Sequence, residues 1–489
     1  MSENTYSTTG TDQDETPLYR YRWVAFAAIL AASVMDLLDT MITNVAAPTI
    51  RQELSSGPEL MQWLGAAYTM AMAIGLLTGG RLGDIYGRRA VFLVGVTGFT
   101  AASILCGVSN SFGMLIGFRV AQGLFGAIML PQGLGFIKQM FPPKETSAAF
   151  GAFGPIMGIS SVGGPILGGW LITANLFDLG WRMIFLINVP IGLAVLVVGA
   201  KFLPATAATA SKLDWVGALL ASVAIGMLIY PIVQGRALGW PVWTFGLMVA
   251  SIAVFVVFAL YENRVRRTGG EPLIIPELFR RRAFVGGLAT GLAFFSALTG
   301  FALIFTVFLQ NGMGYSALGA GLAALPQAVG GVIGFVLAGA GLSDKFGRHL
   351  IHVGTAAIAA GLTAIEIEMH LLTHVTPWTL TPMLVVMGIG LGLTLAPFFN
   401  IVLAGVDMHE TGSASGALTA LQQFGGAVGV AAMGTMFFNL LAGHAHGSFP
   451  IAMRDTLWVI IGLQVLAFAL AFLLPKKANA WESETGGAW

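Results

Sequence analysis

Fourteen runs of about twenty apolar residues, parted by short polar loops, leave this chain few ways to fold. A helix crossing the hydrocarbon core needs about 20 such residues and satisfies its own backbone groups on the way. The first six runs cover residues 23–48, 61–80, 90–108, 112–139, 147–173 and 183–203. Two more cover 215–234 and 242–261, and the last six cover 283–309, 318–340, 350–371, 380–406, 412–441 and 457–474. The expected fold class is all-α and membrane-embedded, with 14 transmembrane helices. Composition agrees: 10% of the 489 residues are charged, against about 25% in soluble domains. A net charge of +1 excludes a strongly basic nucleic-acid binder. The single cysteine, Cys106, lies in an apolar run, so neither a disulfide framework nor a thiolate metal cluster is expected. The histidines show no ligand spacing, and no metal is expected.

An even number of spans puts both termini on one side. With a cytoplasmic N-terminus, only Arg51, Arg182, Arg236 and Arg454 fall in outer loops, and Arg119 lies within a span. Every other Lys and Arg of the 24 is then inside. The positive-inside rule thus predicts a multi-pass protein of the cell (plasma) membrane with N- and C-termini both cytoplasmic. Residues 1–21 are polar and acidic, without the basic start and apolar core of a signal peptide. They are expected to form a disordered cytoplasmic tail, and 475–489 a second cytoplasmic tail.

The chain repeats itself. GGRLGDIYGRRA follows the second run and AGLSDKFGRHL the tenth, with Asp84, Gly87 and Arg88 matching Asp344, Gly347 and Arg348 at one constant offset. That offset is too long for six helices and suits eight. The expected plan is a six-helix bundle over 22–204, a linker with two inserted helices over 205–282, and a second six-helix bundle over 283–474. Two such halves form a transporter design whose substrate site lies between them near the midplane. Gly80, Gly83 and Gly87 permit a tight turn or close helix approach. Arg81, Arg88 and Arg89 suit the inner headgroup region, and Asp84 can pair with them. A loop serving only topology would need no aspartate.

SVMDLLDTMITNVAAP, residues 33–48, carries two carboxylates inside a greasy run. A charge there costs roughly 2.5–3.5 kcal/mol even on a lenient scale. Asp36, Asp39 and Thr43 follow i, i+3, i+7, which makes one polar stripe expected to face a watery central cavity. Arg119, in LIGFRVAQGLFGA, offers a partner: counted along each helix, Asp39 and Arg119 both lie roughly 12–14 Å below the outer surface. Asp36 sits about one turn nearer the midplane. Burial disfavours a charged carboxylate and a guanidinium favours it, so a passage that shifts their separation can take up and release a proton. Asp39, Asp36 and Arg119 are therefore the candidate proton-coupling residues.

At this point the motifs resemble a known family. The chain is similar, over essentially 22–474, to the major facilitator superfamily, in its 14-helix drug–proton antiporter branch. LLDTMITNVAAPTI looks like that branch's first-helix signature, with Asp39 at its acidic position. GGRLGDIYGRR looks like the loop that governs the inward–outward switch; the resemblance assigns that role to Gly80, Asp84, Gly87, Arg88 and Arg89 and to their counterparts Asp344, Gly347 and Arg348. The second copy is degraded, with Ala340 and His349 at two of its positions. LIGFRVAQG looks like the helix-four motif whose arginine, here Arg119, is linked to proton coupling. GAFGPIMGISSVGGPILGGW resembles the antiporter motif through Gly151, Gly164, Pro165, Gly168 and Gly169, with Ser160 where a glycine is usual. GWRMIFLINVPIG, LDWVGALL and SASGALTALQQFGGAVGVA also look like this branch.

Similar exporters of divalent cations carry extra acids in late helices, whereas spans nine, ten and thirteen here have none. The candidate substrate lining is apolar and aromatic, with Gln132, Asn188, Gln327, Asn400, Gln422 and Gln423 as polar anchors. Asp407 and Glu410, at a cytoplasmic helix end, are expected to be solvated. The function expected is proton-coupled antiport exporting hydrophobic or amphipathic, including cationic, drugs and toxic compounds by alternating access. A dedicated exporter of one solute, such as a self-made antibiotic, siderophore or lipid, is the alternative; an intramembrane enzyme or sensor is a remote one. No GxxxxGK[ST] loop is present, so the energy source is the proton gradient and no cofactor is expected. The expected partners are small lipophilic substrates, protons and the lipid bilayer, with no nucleic acid, and the chain is expected to act as a monomer.

Overall fold

The computed structural model is all-helical among the residues it describes. Those are 19–55, 59–142, 174–205, 213–235, 238–270, 276–315, 317–371, 378–404, 410–443 and 448–477, with scattered positions between. Thirteen helical segments among them are long and apolar enough to cross a membrane. The fourteenth expected span, 147–173, lies mostly outside the described residues, as do both tails, Asp407 and the greater part of the segment before residue 213.

Four helices come first: α1 (Arg22–Glu53), α2 (Glu59–Tyr86), α3 (Arg88–Gly107) and α4 (Phe112–Met140). Then follow α5 (Asn188–Phe202), α6 (Trp215–Gln234), α7 (Val242–Arg267) and α8 (Arg282–Val307). The last five are α9 (Leu325–Leu337), α10 (Arg348–Leu371), α11 (Thr381–Ala404), α12 (Thr411–Gly443) and α13 (Phe449–Leu470). At 1.5 Å per residue, α1 is about 48 Å long and overshoots the hydrocarbon core. Its projecting end is tied down where Glu53 accepts from Trp181 Nε1 at 2.9 Å and from Arg182 Nη1 at 3.3 Å.

One run is less regular than the apolar pattern implies. Residues 318–340 form a short helix, Ala317–Ala323, then α9 starting over Pro326, then a wide π turn, Ala338–Leu342. Proline has no N–H to give, so a new helix starts there at no hydrogen-bonding cost. Gly341, at φ +99°, opens the turn that leads to the second loop copy.

The two halves share a packing rule. In the first, α2 lies on α4 with backbones touching: a Cβ on Gly79 would overlap the Ala127 carbonyl, and one on Gly123 the Tyr68 carbonyl. In the second, α9 lies on α11, where a Cβ on Gly334 would overlap the Ile389 carbonyl and one on Gly388 that of Gln327. Small residues let transmembrane backbones approach where no hydrophobic force drives them together. The second helix of each half is thus docked on the fourth by the same device.

The loop copies are also alike. Gly87 (φ +87°) and Gly347 (φ +54°) turn the chain in the left-handed region that favours glycine. The arginines that follow reach carbonyls ending the sixth helix of each half: Arg89 donates to Ala200, and Arg348 to Phe472 at 3.0 Å and Leu474 at 2.8 Å.

The halves meet near these loops, at the end of the molecule that carries the basic residues. Gly416 of α12 packs on α2, where a Cβ would lie 2.9 Å from the Leu76 carbonyl and 3.4 Å from Gly80 Cα. Ser415 Oγ donates to the Pro131 carbonyl at 3.2 Å, and Lys138 Nζ to that of Leu403 at 3.1 Å. The inserted hairpin α6–α7 lies beside this seam, with α6 against both α2 and α12. Glu410, expected in solvent, is instead 4% exposed and pairs with Arg281 at 2.9 Å. The start of α12 is folded under the linker, where Ser413 also donates to the Leu273 carbonyl.

Candidate functional site: a buried ion pair beside an inter-half cavity

Asp39 lies on α1, a helix with no lipid-compatible way to solvate a carboxylate. It is 1% exposed, and Arg119 of α4 is 0% exposed. The two form an ion pair through Arg119 Nη1. The other carboxylate oxygen accepts from Gln122 Nε2 and Asn188 Nδ2, both at 2.8 Å. Ser103 Oγ accepts from the same two amides, at 2.8 and 3.2 Å. Arg119 further donates to Gln122 Oε1 at 2.7 Å and through Nε to the Leu64 carbonyl at 3.1 Å. Four helices thus converge on one acid. A buried pair is tolerable only when its remaining lone pairs and protons find such partners.

Asp36 is one turn back along α1 and lives in a different setting. Its carboxylate accepts from the hydroxyl of Tyr68 on α2, and it lines a cavity of about 170 Å³ between the halves. The first half contributes Ser33, Leu37, Met72 and Leu134 to the wall. The second contributes Phe335, Phe399, Thr419, Gln422 and Gln423. Gln423 also reaches across to the Met72 sulfur at 3.6 Å. The surface is apolar with a few convergent polar groups, as ligand sites usually are. The cavity is smaller than the ~300–1,000 Å³ that drug-sized ligands fill, so a large occupant requires the halves to part further.

The polar stripe of α1 is therefore split. Asp36 and Ser33 face the cavity, while Asp39 and Thr43 (1% exposed) are sealed inside the first half. Of the six candidate lining residues, Gln422 and Gln423 are on the wall. Asn188 is bound to Asp39 instead. Gln132 is 1% exposed and ties α4 to α2 by donating to the Gly79 carbonyl at 2.7 Å. Gln327 and Asn400 are half-buried, and neither is on the wall. Gln132 and Asn188 are thus taken up by helix packing and by the ion pair, because an amide at membrane depth satisfies the nearest unpaired group wherever it lies.

In the loops, Asp84 is buried and pairs with Arg88 at 3.2 Å, and Arg88 Nη1 reaches the Gly135 carbonyl at 3.4 Å. Asp344 is exposed. Gly164 and Gly168 pack on α1 beside the ion pair: a Cβ would lie 2.6 Å from that of Met41 and 3.0 Å from Ile42 Cγ2. A Cβ on Gly169 would meet open space. Gly151 and Pro165 lie outside the described residues.

Tyr68, Gln122 and Ser103 join the candidate site through their contacts with Asp36, Asp39 and Arg119, and the sequence motifs do not single them out. A signal existed for Gln122, which sits three residues from Arg119 and so shares its face. Tyr68 could have been found as a phenol at mid-membrane depth, which needs a hydrogen-bond partner.

Two packed half-repeats with a cavity at their interface and buried charge beside it define a membrane transporter rather than an enzyme. The family model of the Major Facilitator Superfamily matches residues 29–214 and 214–430. The chain belongs to that superfamily and is a multi-pass membrane protein. It is 48% identical over 434 residues to a probable actinorhodin transporter of Streptomyces coelicolor, covering 88% of this chain and 75% of that one. It is 33% identical over 435 residues to a tetracenomycin C resistance and export protein of Streptomyces glaucescens, covering 88% and 77%. In fold it is similar to the proton:xylose symporter XylE, with TM-score 0.64 at 15% identity over 92% of this chain and 95% of that one.

Proposed function

We propose that the protein is a proton-coupled antiporter that exports hydrophobic or amphipathic compounds, antibiotics among them, across the cytoplasmic membrane by alternating access. The observation that carries this reading is the cavity between the halves with Asp36 on its wall and the Asp39–Arg119 pair one turn away. An acid on the wall can hold either a proton or a cationic group of the substrate. A sealed acid–guanidinium pair can change strength as the helices around it move. The relatives named for actinorhodin and tetracenomycin C support an exported drug or toxin as substrate. With both termini cytoplasmic, as the basic loops argue, the seam at Gly416, Ser415 and Lys138 closes the cytoplasmic side. The described state is then closed toward the cytoplasm. No cofactor enters this scheme, since the proton gradient supplies the energy.

The test is ΔpH-driven ethidium efflux in everted membrane vesicles. Wild-type protein should clear the dye when the gradient is imposed, and Asp39→Asn should not, while reaching the membrane in normal amount. Full ΔpH-driven efflux by Asp39→Asn would remove the coupling assignment. Export of one dedicated compound is the second reading, favoured because each of those relatives carries the name of a single antibiotic. A panel of unrelated toxic lipophiles separates the two: broad export protects cells against several, dedicated export against one chemical type.

A further inference from the structure

The two acids of α1 are not in contact with each other, yet antiport requires that events at the cavity be felt by the sealed pair. One side chain touches both. Tyr68, 2% exposed on α2, donates its hydroxyl to Asp36. Its ring lies under the Arg119 guanidinium, with Cζ 4.4 Å from the ring centroid. That is within the range of a cation–π contact, which strengthens where water is excluded. Phe99 holds the ring edge-on from α3 at 6.4 Å, and Phe185 covers Arg119 from a further side at 5.8 Å. The titratable and charged groups around the phenol are Asp36, Asp39, Arg119 and, further off, Cys106, which donates its thiol to Gln122. Backbone fixes the phenol too, because Gly123 of α4 packs directly on the Tyr68 carbonyl.

We propose that Tyr68 is the positioning residue that transmits the state of the cavity acid Asp36 to the buried Asp39–Arg119 pair, a role that rests on the proton-coupled export reading. The charged Asp36 carboxylate is a strong acceptor and holds the hydroxyl. When a proton or a cationic substrate group takes that carboxylate, the hydroxyl loses its charged partner and the ring is free to shift on Arg119. Arg119 Nη2, buried without a hydrogen-bond partner among the described residues, then has room to change its hold on Asp39. The relay is short because one ring touches both Asp36 and Arg119.

The experiment uses the full-length protein in proteoliposomes with ethidium as probe, and it reads two fluxes: accumulation driven by ΔpH and movement down the dye's own gradient at equal pH. Tyr68→Phe keeps the ring over Arg119 and removes only the hydroxyl. The ratio of driven to downhill flux should fall about tenfold, the scale of one hydrogen bond to a charged group. In an Asp36→Asn background the same substitution should change the ratio by less than about twofold, since the charged acceptor is gone. Gly126→Ala is the second variant, because its new methyl would sit 3.2 Å from the Tyr68 hydroxyl and 3.7 Å from Asp36 Oδ1. It should lower the same ratio by crowding the hydroxyl while Tyr68 itself is kept. A wild type that is ΔpH-driven beside a Tyr68→Phe of equal ratio overturns the relay alone, as does a parallel fall in both fluxes. A wild type without ΔpH-driven transport overturns the export reading and the relay with it.

Discussion

The two six-helix halves are packed alike and charged differently. Each docks its second helix on its fourth through glycines, and each turns its loop on a glycine before an arginine that reaches the end of the sixth helix. Yet the first half holds Asp36, Asp39, Arg119, Gln122 and Asn188 near mid-depth, while the second offers the cavity only Thr419, Gln422 and Gln423 besides apolar groups. The repeat thus supplies a common scaffold, and the ionic chemistry was built on one copy of it. Such a division leaves the second half free to present an adaptable wall, because a wall without fixed charge does not demand a counter-charge from its ligand.

The largest effects should be blind to this asymmetry. Valine at Gly79 or at Gly334 would force a branched side chain into a neighbouring backbone carbonyl. Overpacking of that kind costs about 3 kcal/mol or more. Both variants should fail to accumulate in the membrane, measured by immunoblot and by detergent-solubilised thermal stability. Normal abundance of either one would mean that the halves are not packed by the same rule.

Charge should separate them next. Arg119→Ala leaves Asp39 without its cation, and breaking a buried pair from one side costs about 3–5 kcal/mol. Ethidium efflux should drop by about 100-fold, the equivalent of ~3 kcal/mol, with lower thermal stability. Gln423→Ala in the second half should leave thermal stability unchanged. A fully active Arg119→Ala would return the ion pair to the status of a packing device.

Much of this contrast was legible in the sequence. Thirteen of the expected spans are present because a 20-residue apolar run has one stable answer in a bilayer. Counting residues from helix ends put Asp39 and Arg119 level, and they are paired. What the count lacked was azimuth. Depth says nothing of which way α1 is rotated, so the sequence pattern alone places Asp36 and Asp39 on one stripe facing one cavity. In the structure the roughly 60° that separates them round the helix is enough to turn one to the cavity and the other to Asn188 and Gln122. The amides divide for a related reason: Gln132 and Gln422 look equivalent in sequence, but only the fold tells which has a carbonyl such as that of Gly79 within reach.

The loops give a sharper version of the comparison. Asp84 is buried against Arg88 at the seam where Gly80 meets Gly416, whereas Asp344 is exposed at the far copy. Asp84→Asn should lower efflux about tenfold, the worth of a charge-assisted bond at a moving contact, and Asp344→Asn by less than about twofold. Vesicle transport assays of the two variants, side by side, measure the difference. Equal losses would mean that both copies carry the switch.

The smallest effects belong to the wall. Gln422 and Gln423 each place an amide in the cavity opposite Asp36, and an amide can donate or accept as the ligand requires. One neutral hydrogen bond is worth about 1 kcal/mol, or roughly fivefold in affinity. Alanine at either position should therefore shift the half-saturating concentration by a few-fold, and by different amounts for different compounds. A cation such as ethidium, held chiefly by Asp36, should respond least; a neutral, hydroxyl-rich aromatic should respond most. If the two classes shift equally, the glutamines shape the cavity without contacting what it carries, and selectivity rests with α1 and its acid.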